Sequence, residues 1–353
     1  VKDGTAFDIH DYKTQELLQT VVVDTTVLGC LGNAPGTPRG VAADQHTNWM
    51  DHPSRAVCGS CHDYIDWDTG EGHSDINIPQ QDDTLCGKCH EPTGREFGTS
   101  VAGAHQVVYK SAQLAGILIE IKSVTNTGPG DTPTVTFSMK AKNKSMSPSD
   151  LDFFRLIIAG PNEDFDFLAE EFATGAVMDG DNWTYTFSTP LPDDAKGSFT
   201  AGAEAFRMVP IGTGGQTMVR ETAENDVFVF AVTDDEPEAR RMVVDDLKCE
   251  NCHSNLALHG TIRHEPQYCV TCHLPAATDI GEVQEGNEEQ GIHFKYMVHK
   301  IHRGEDLANG YVVAGHNQSI HDYSHVAYPG DLRNCDACHV GNSQQVPDSA
   351  GLL

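Results

Sequence analysis

Ten of the eleven cysteines form five Cys-x-x-Cys pairs, and a histidine directly follows each pair. The five motifs are Cys58, Cys61 and His62; Cys86, Cys89 and His90; Cys249, Cys252 and His253; Cys269, Cys272 and His273; and Cys335, Cys338 and His339. Since histidine makes up 18 of 353 residues, chance would give five such coincidences on the order of once in a few million. In c-type cytochromes the two thiols of this motif bind the porphyrin edge and the histidine binds the iron. The sequence therefore predicts five covalently bound haem c groups.

Zinc and disulfides are the alternative uses of paired cysteines. The segment from Cys249 to Cys272 has the spacing of a zinc ribbon, two Cys-x-x-Cys pairs separated by sixteen residues. Neither a four-thiolate zinc site nor a disulfide framework explains the histidine after every pair. Redox-active Cys-x-x-Cys pairs are usually single. Haem is therefore favoured, and the remaining cysteine, Cys30, is interpreted as a lone buried thiol, with an intermolecular disulfide as the alternative.

Histidines outside the motifs can supply a second axial ligand to each iron. The chain has 18 histidines, and residues 106–245 contain none, which indicates that most of the others serve haem. Two imidazoles give a low-spin, low-potential iron that passes electrons and does not bind substrate. Met50 and Met297 also lie near the motifs, but a thioether in such a pocket more often packs than binds.

Charge and hydrophobic patterning characterise the rest of the chain. A formal charge of -29, from 23 basic and 52 acidic residues, argues against nucleic acid and anionic membranes as partners. No apolar run approaches the roughly 18 residues of a transmembrane segment.

Short alternating stretches separated by turns predict strands at 116–125, 132–141, 153–159, 182–189, 198–209 and 226–232.

The expected fold class is α+β or irregular, with loop-dominated haem segments flanking an antiparallel β-sandwich or barrel. The predicted domains are an N-terminal segment (1–45), a di-haem segment (46–105), a β-domain (106–245) and a tri-haem segment (246–353). Acidic turns at 63–68 and 179–181 are candidate calcium sites. Neither has the spacing of an EF-hand loop, so solvated turns are favoured.

Both haem segments resemble the outer-membrane and extracellular decahaem c-type cytochrome family. The resemblance rests on the motifs and on their surroundings: 49–62, 70–73, 258–260, Arg263, 294–304 and 328–334. It implies alternating β-domains and pentahaem domains, electron transfer to extracellular acceptors such as metal oxides and flavins, and partnership with other multihaem cytochromes. It also implies distal iron ligands at His73, His259, His299, His302 and His321. His10, His46, His52, His105, His316 and His325 are the alternatives.

The order of the haem segments departs from that family. Family members carry two pentahaem modules in which three haems precede two, whereas here the pair precedes the β-domain and the triplet follows it. Either the module is completed within one chain, or the chain is part of a longer cytochrome, or the triplet of one copy packs on the pair of the next and builds a head-to-tail filament. The sequence Ile-His-Asp-Tyr at 9–12 recurs at 320–323 and favours the filament.

These observations predict a pentahaem electron carrier without a substrate-specific active site. Because haem is attached outside the cytoplasm, we expect the protein at the cell surface or beyond it, with the periplasm as the alternative. A multihaem reductase with one open haem site is the enzymatic alternative. Such enzymes often replace a motif histidine by lysine, and all five motifs keep histidine. A periplasmic electron shuttle is the third hypothesis.

Overall fold

The computed structural model describes residues 6–10, 17–22 and 47–344, apart from residues 213, 216, 254 and 286. Cys30, His46 and part of the 9–12 sequence lie outside the described residues, and only the backbone of His10 is described. The chain forms two compact units. Unit 1 comprises Val1–Leu114 and Val209–Val219, and unit 2 comprises Ala115–Met208 and Arg220–Leu353.

The described residues of unit 1 form a pair of antiparallel strands and four α-helices of about one turn. The strands β1 and β2 pair with each other, and Ser54 and Ser100 cap two of the helices by accepting backbone N–H bonds. The elements are β1 (Ala6–His10), β2 (Leu17–Val22), α1 (Asn48–Asp51), α2 (Arg55–Gly59), α3 (Cys86–Cys89) and α4 (Val101–Ala104). Between residues 47 and 114, Val101 is the only buried large apolar side chain. The polypeptide alone therefore provides almost no core in this region.

Unit 2 contains most of an antiparallel β-sandwich, of which residues 209–211 and 217–219 are grouped with unit 1. The first sheet has the order β3-β4-β9-β8 with β5 beside β4, and the second has the order β11-β10-β6-β7 with β12 beside β10. The strands are β3 (Ile117–Thr125), β4 (Thr134–Ala141), β5 (Lys144–Ser145), β6 (Phe153–Gly160), β7 (Phe167–Phe172), β8 (Val177–Asp179), β9 (Asn182–Thr186), β10 (Ser198–Ile211), β11 (Thr217–Thr222) and β12 (Asp226–Ala231). Both sheets are open, so the predicted antiparallel β-architecture is confirmed as a sandwich, and the barrel alternative is excluded.

The core lies between the two sheets. Along β3 the isoleucines at 117, 119 and 121 are buried and the residues between them face outward, as strand alternation requires. Phe137 of the first sheet and Phe154 of the second are both fully buried, with ring centroids 5.1 Å apart. All six predicted strands are present. Four strands of the sandwich were missed: β5, β7, β8 and β11. β5 and β8 have only two and three residues, and β7 is an edge strand that carries the acidic pair Glu170 and Glu171.

The remainder of unit 2 is rich in loops and carries three motifs. Its elements are α5 (Asp246–His253), α6 (Pro266–Cys269), α7 (Phe294–Arg303), β13 (Val312–Gly315) and β14 (Ser319–Asp322). The fully buried ring of Tyr268 packs on β10 at Gly202, where a Cβ atom would lie 2.8 Å from a ring carbon. Glycine at this position therefore lets the motif-bearing segment approach the second sheet closely.

Replacement of Phe137 by alanine tests the sandwich core. We expect Phe137→Ala to lower the free energy of unfolding by about 3–5 kcal/mol, because it leaves a cavity between the sheets. Urea unfolding followed by the far-ultraviolet circular dichroism of the sheets measures this change. Phe172→Ala is the control, since Phe172 is 61% exposed and should cost less than about 1 kcal/mol. Equal costs would contradict the assignment of this core.

Candidate haem-binding sites

Each motif folds into a single turn that brings the first cysteine and the histidine to one side. The histidine N–H donates to the carbonyl of the first cysteine at 2.9 Å in the Cys58, Cys86 and Cys335 motifs and at 3.0 Å in the Cys269 motif. In the remaining motif, His253 lies in the last turn of α5, four residues after Cys249. Residues four apart share a helix face, so the thiol and the imidazole of each motif can reach the same ligand.

Every motif histidine faces a second histidine across a gap of nearly constant width. The ring centroids are separated by 6.2 Å for His62 and His105, 6.1 Å for His90 and His73, 5.9 Å for His253 and His302, 5.9 Å for His273 and His259, and 6.0 Å for His339 and His299. A transition metal binds an imidazole nitrogen at about 2 Å, and the ring centre lies about 1 Å behind that nitrogen. An iron between two imidazoles therefore requires about 6 Å. All five gaps fit a haem bound by two histidines.

Backbone carbonyls orient most of these rings. The Nδ1 atoms of six of them lie 2.6–2.8 Å from a carbonyl oxygen: His73, His90, His105, His273, His299 and His302. A carbonyl can only accept, so Nδ1 carries the proton and the lone pair of Nε2 is free for a metal. In His62 and His339 the Nδ1 atom lies 3.3 Å from the hydroxyls of Tyr64 and Ser343. The polypeptide alone thus orients these rings as metal ligands.

Burial keeps several of these histidines neutral. Burial, with a smaller contribution from the charge of Arg263, lowers the pKa of His259 to about 4. Burial also lowers the pKa values of His253, His273 and His339. At pH 7 these imidazoles are uncharged, which is the form that binds a metal.

Three apolar side chains beside the sites are about half exposed. Val57 and Leu85 each precede the first cysteine of a motif and are 47% and 57% exposed, and Leu258 precedes His259 and is 51% exposed. Exposed large aliphatic side chains beside three of the sites indicate an apolar ligand that covers them. A porphyrin held between the paired imidazoles has this character.

The structure separates the predicted distal histidines into two groups. His73, His259, His299 and His302 each face a motif histidine, as given above. His321 on β14 is exposed, its ring centroid lies 6.5 Å from that of Tyr323, and its Nε2 lies 3.0 Å from the Ser319 hydroxyl. The ring opposite His62 belongs to His105, which was predicted only as an alternative ligand. The sequence feature that could have identified His105 is its position at the end of the di-haem segment, directly before the histidine-free stretch.

The remaining histidines lie elsewhere. His52, His316 and His325 are exposed, and the backbone N–H of His264 donates to Asn225 Oδ1 at 2.8 Å. Because each motif histidine faces an imidazole, neither Met50 nor Met297 lies in that facing position.

The positions of the side chains support zinc and calcium sites less well than haem sites. In the part of the chain that the structure describes, no three His, Cys, Asp or Glu side chains converge on a site for a single metal ion. The ten motif cysteines, all described, are free thiols and not disulfides. In the acidic turn at 63–68, Asp66 Oδ1 accepts the backbone N–H groups of Asp68 and Thr69 at 2.9 and 3.1 Å. This carboxylate stabilises its own turn.

A buried ion network fastens one haem site to the sandwich. Glu204 on β10 is 0% exposed and accepts from Arg155 Nε at 2.7 Å and from Arg263 Nε at 2.8 Å. Arg155 also pairs with Glu170 at 3.3 Å. Arg263 lies between the two facing histidines His259 and His273 in sequence. The network therefore positions the segment that carries both rings of this site.

Comparisons with known proteins place these sites in a family context. Residues 241–353 match the family described as outer membrane cytochrome MtrC/MtrF-like, domains II/IV. Among solved structures, the chain is similar to the crystal structure of MtrC from Shewanella baltica OS185, with a TM-score of 0.55 and 18% identity. The match covers 75% of this chain and 49% of that chain, so this chain spans about half the length of that structure. No curated protein sequence matches it. The resemblance inferred from the haem segments is confirmed.

Removal of the charge of Glu204 tests the network. Glu204→Gln preserves the size of the side chain but leaves Arg155 and Arg263 without their buried anion, and we expect a loss of about 3–5 kcal/mol in the free energy of unfolding. Guanidinium unfolding of the haem-loaded protein, followed by circular dichroism, measures it. Glu120→Gln is the control, because that side chain is 52% exposed in its pair with Lys122 and should cost less than about 1 kcal/mol. A similarly small loss for Glu204→Gln would show that the network does not hold this segment.

Proposed function

This chain resembles the outer-membrane multihaem cytochromes, and from that premise we propose that it is a pentahaem c-type cytochrome of the cell surface or extracellular space. It carries electrons through bis-histidine haems to acceptors outside the cell, such as metal oxides, flavins or partner cytochromes. The five pairs of facing imidazoles, separated by 5.9–6.2 Å, are the observation that carries this proposal.

The proposed ligands follow from those pairs. The ten motif cysteines bind the five porphyrins, and the motif histidines His62, His90, His253, His273 and His339 are the proximal ligands. The distal ligands are His105, His73, His302, His259 and His299, in the same order. A haem iron held between two imidazoles takes up and releases one electron and offers no open position to a substrate.

The protein groups around these sites hold the ligands still. Carbonyl oxygens fix six of the ten rings, so a change of iron charge meets little reorganisation of the ligands. In unit 1, Arg55 beside the Cys58 motif donates to Asp83 Oδ1 at 3.0 Å through both its backbone N–H and its Nε. Asp83 precedes Cys86 by three residues, so this pair joins the two motifs of the unit. Fixed spacing between neighbouring haems is what electron hopping requires.

Electron transfer is favoured over substrate reduction by the same pairs. A reductase of nitrite, hydroxylamine or a sulfur oxyanion needs an iron with an open coordination position, whereas each motif histidine here faces a second imidazole. We therefore propose an electron-transfer protein without a substrate-specific active site. A high-spin signal in the purified, oxidised wild-type protein would favour the reductase instead.

The net charge of the chain and its proposed location indicate which partners it binds. The formal charge of -29 favours cationic surfaces or metal ions over nucleic acid and anionic membranes. None of the helices in the described part of the chain has the length and hydropathy of a membrane-spanning segment. Other multihaem cytochromes are the proposed protein partners, and periplasmic shuttling is the alternative location.

The head-to-tail filament remains a second proposal, supported by the permuted order of the haem segments. Each motif histidine faces a histidine of its own unit, so a filament would form through contacts between haem edges and not through shared iron ligands. Negative-stain electron microscopy with light scattering distinguishes the two states. Regular fibres support the filament, and monodisperse particles near the mass of one chain contradict it.

Substitution of single distal histidines tests the ligand set. We expect oxidised His105→Ala to show one high-spin haem among five, because the iron bound by His62 loses its second imidazole. His321→Ala is the matched variant and should leave all five haems low-spin. Electron paramagnetic resonance measures the spin states, and a pyridine haemochrome assay verifies five haems per chain. High-spin iron in His321→Ala with an unchanged His105→Ala would reverse the assignment.

A further inference from the structure

Two of the three haem sites in unit 2 are fastened to each other on both sides. On the distal side, α7 carries both His302, which faces His253, and His299, which faces His339. On the proximal side, Lys248 directly precedes Cys249, and its Nζ donates to the carbonyl of Asp336 at 2.8 Å and to the carbonyl of His339. The Cys249 and Cys335 motifs therefore hold their haems as neighbours.

Lys248 reaches those carbonyls without pairing with a carboxylate. Its side chain is partly buried, and within the described residues it forms no ion pair with a carboxylate. A neutral donor could make the same hydrogen bonds, so the bonds alone do not require an ammonium group. The positive charge lies against the residue that is the proximal ligand of the Cys335 motif.

The Cys249 motif lies in the opposite electrostatic environment. Asp246 and Glu250 share α5 with this motif, and Asp245 directly precedes the helix. Glu265 is near the same group, and burial together with Asp246, Glu224, Glu250 and Asp245 raises its pKa to about 7. Asp245, Asp246 and Glu250 therefore lie in or next to the helix of the Cys249 motif. The Cys335 motif carries one acidic residue, Asp336, and has the ammonium group of Lys248 against its carbonyls.

We propose that this charge pattern orders the reduction potentials of the two neighbouring haems. Lys248 raises the potential at the Cys335 motif, and the carboxyl cluster lowers it at the Cys249 motif. Reduction adds one negative charge to a haem, so a nearby cation stabilises the reduced form and nearby anions destabilise it. One electron then moves from the Cys249 site to the Cys335 site, with no bond made or broken and no proton transferred. The inference rests on the proposed function only in requiring haem at both sites.

Replacement of Lys248 tests the positive side of the pattern in the haem-loaded full-length protein. We expect Lys248→Met to lower one of the five midpoint potentials by about 59 mV, a tenfold change in the equilibrium constant of a one-electron reduction. Lys144→Met is the control for net charge, because Lys144 is exposed on β5 and its loss changes the formal charge by the same amount. Spectroelectrochemical titration with electron paramagnetic resonance resolves the potentials.

Lys248→Arg separates charge from hydrogen-bond geometry. We expect it to titrate like the wild type, since it keeps the cation. If Lys248→Arg behaves like Lys248→Met, or if Lys248→Met behaves like Lys144→Met while holding five low-spin haems, the charge assignment to Lys248 is wrong.

Replacement of Glu250 tests the negative side and does not depend on the stability of the Lys248 variants. Glu250→Gln should raise one of the five midpoint potentials, whereas Asp179→Asn, which removes an exposed carboxylate on β8, should leave all five in place. Five unchanged potentials in Glu250→Gln overturn the proposed order even if Lys248→Met loses a haem. Fewer than five haems in the wild-type protein would contradict the proposed function, which is a separate outcome.

Discussion

The separation of about 6 Å between paired imidazoles is the constraint on which the other features of this chain depend. A haem with two histidine ligands tolerates little variation in that distance, and the polypeptide must set it at five places. The chain does so with very short elements: one turn of helix per motif, carbonyl acceptors behind the distal rings, and a single ten-residue helix, α7, that serves two sites. Regular secondary structure is sparse around the motifs because little of it is needed once these rings are placed.

The β-sandwich provides the rigid body that the haem segments lack. Its second sheet presents Glu204, Arg155 and Gly202 to the segment that carries His259 and His273. Gly202 and Glu204 both hold the same short stretch of chain. The ring of Tyr268 packs closely on Gly202, and the buried carboxylate of Glu204 accepts from Arg263. One face of the second sheet thus packs into the core of the sandwich. The opposite face of the same sheet positions the site of His259 and His273. This division explains how a β-domain and a tri-haem segment form one compact unit.

Sequence patterns predicted the parts of this structure that follow local rules. Alternation identified the six main strands, because burial between sheets requires it, and three-residue spacing placed His299 and His302 on one side of α7. Edge strands such as β8 have too few residues for a pattern, and β7 carries charges that hide it. The partner of His62 could not be derived from spacing, since His105 approaches it from 43 residues further along the chain, after a capped turn at α4. Glu204 was equally hidden, because nothing in its strand distinguishes a carboxylate that binds two arginines from a solvated one.

The exposed positions of Val57, Leu85 and Leu258, together with a single buried apolar side chain between residues 47 and 114, have a consequence for biogenesis. The sandwich can reach its native state from its own apolar residues, but the segment before it has no hydrophobic core until porphyrins are attached. In the proposed cytochrome, maturation would therefore be ordered: haem would be attached while this segment is still an extended, accessible chain, and collapse would follow attachment. A precursor that lacks haem would combine a folded sandwich with an uncollapsed segment before it, a form susceptible to proteolysis.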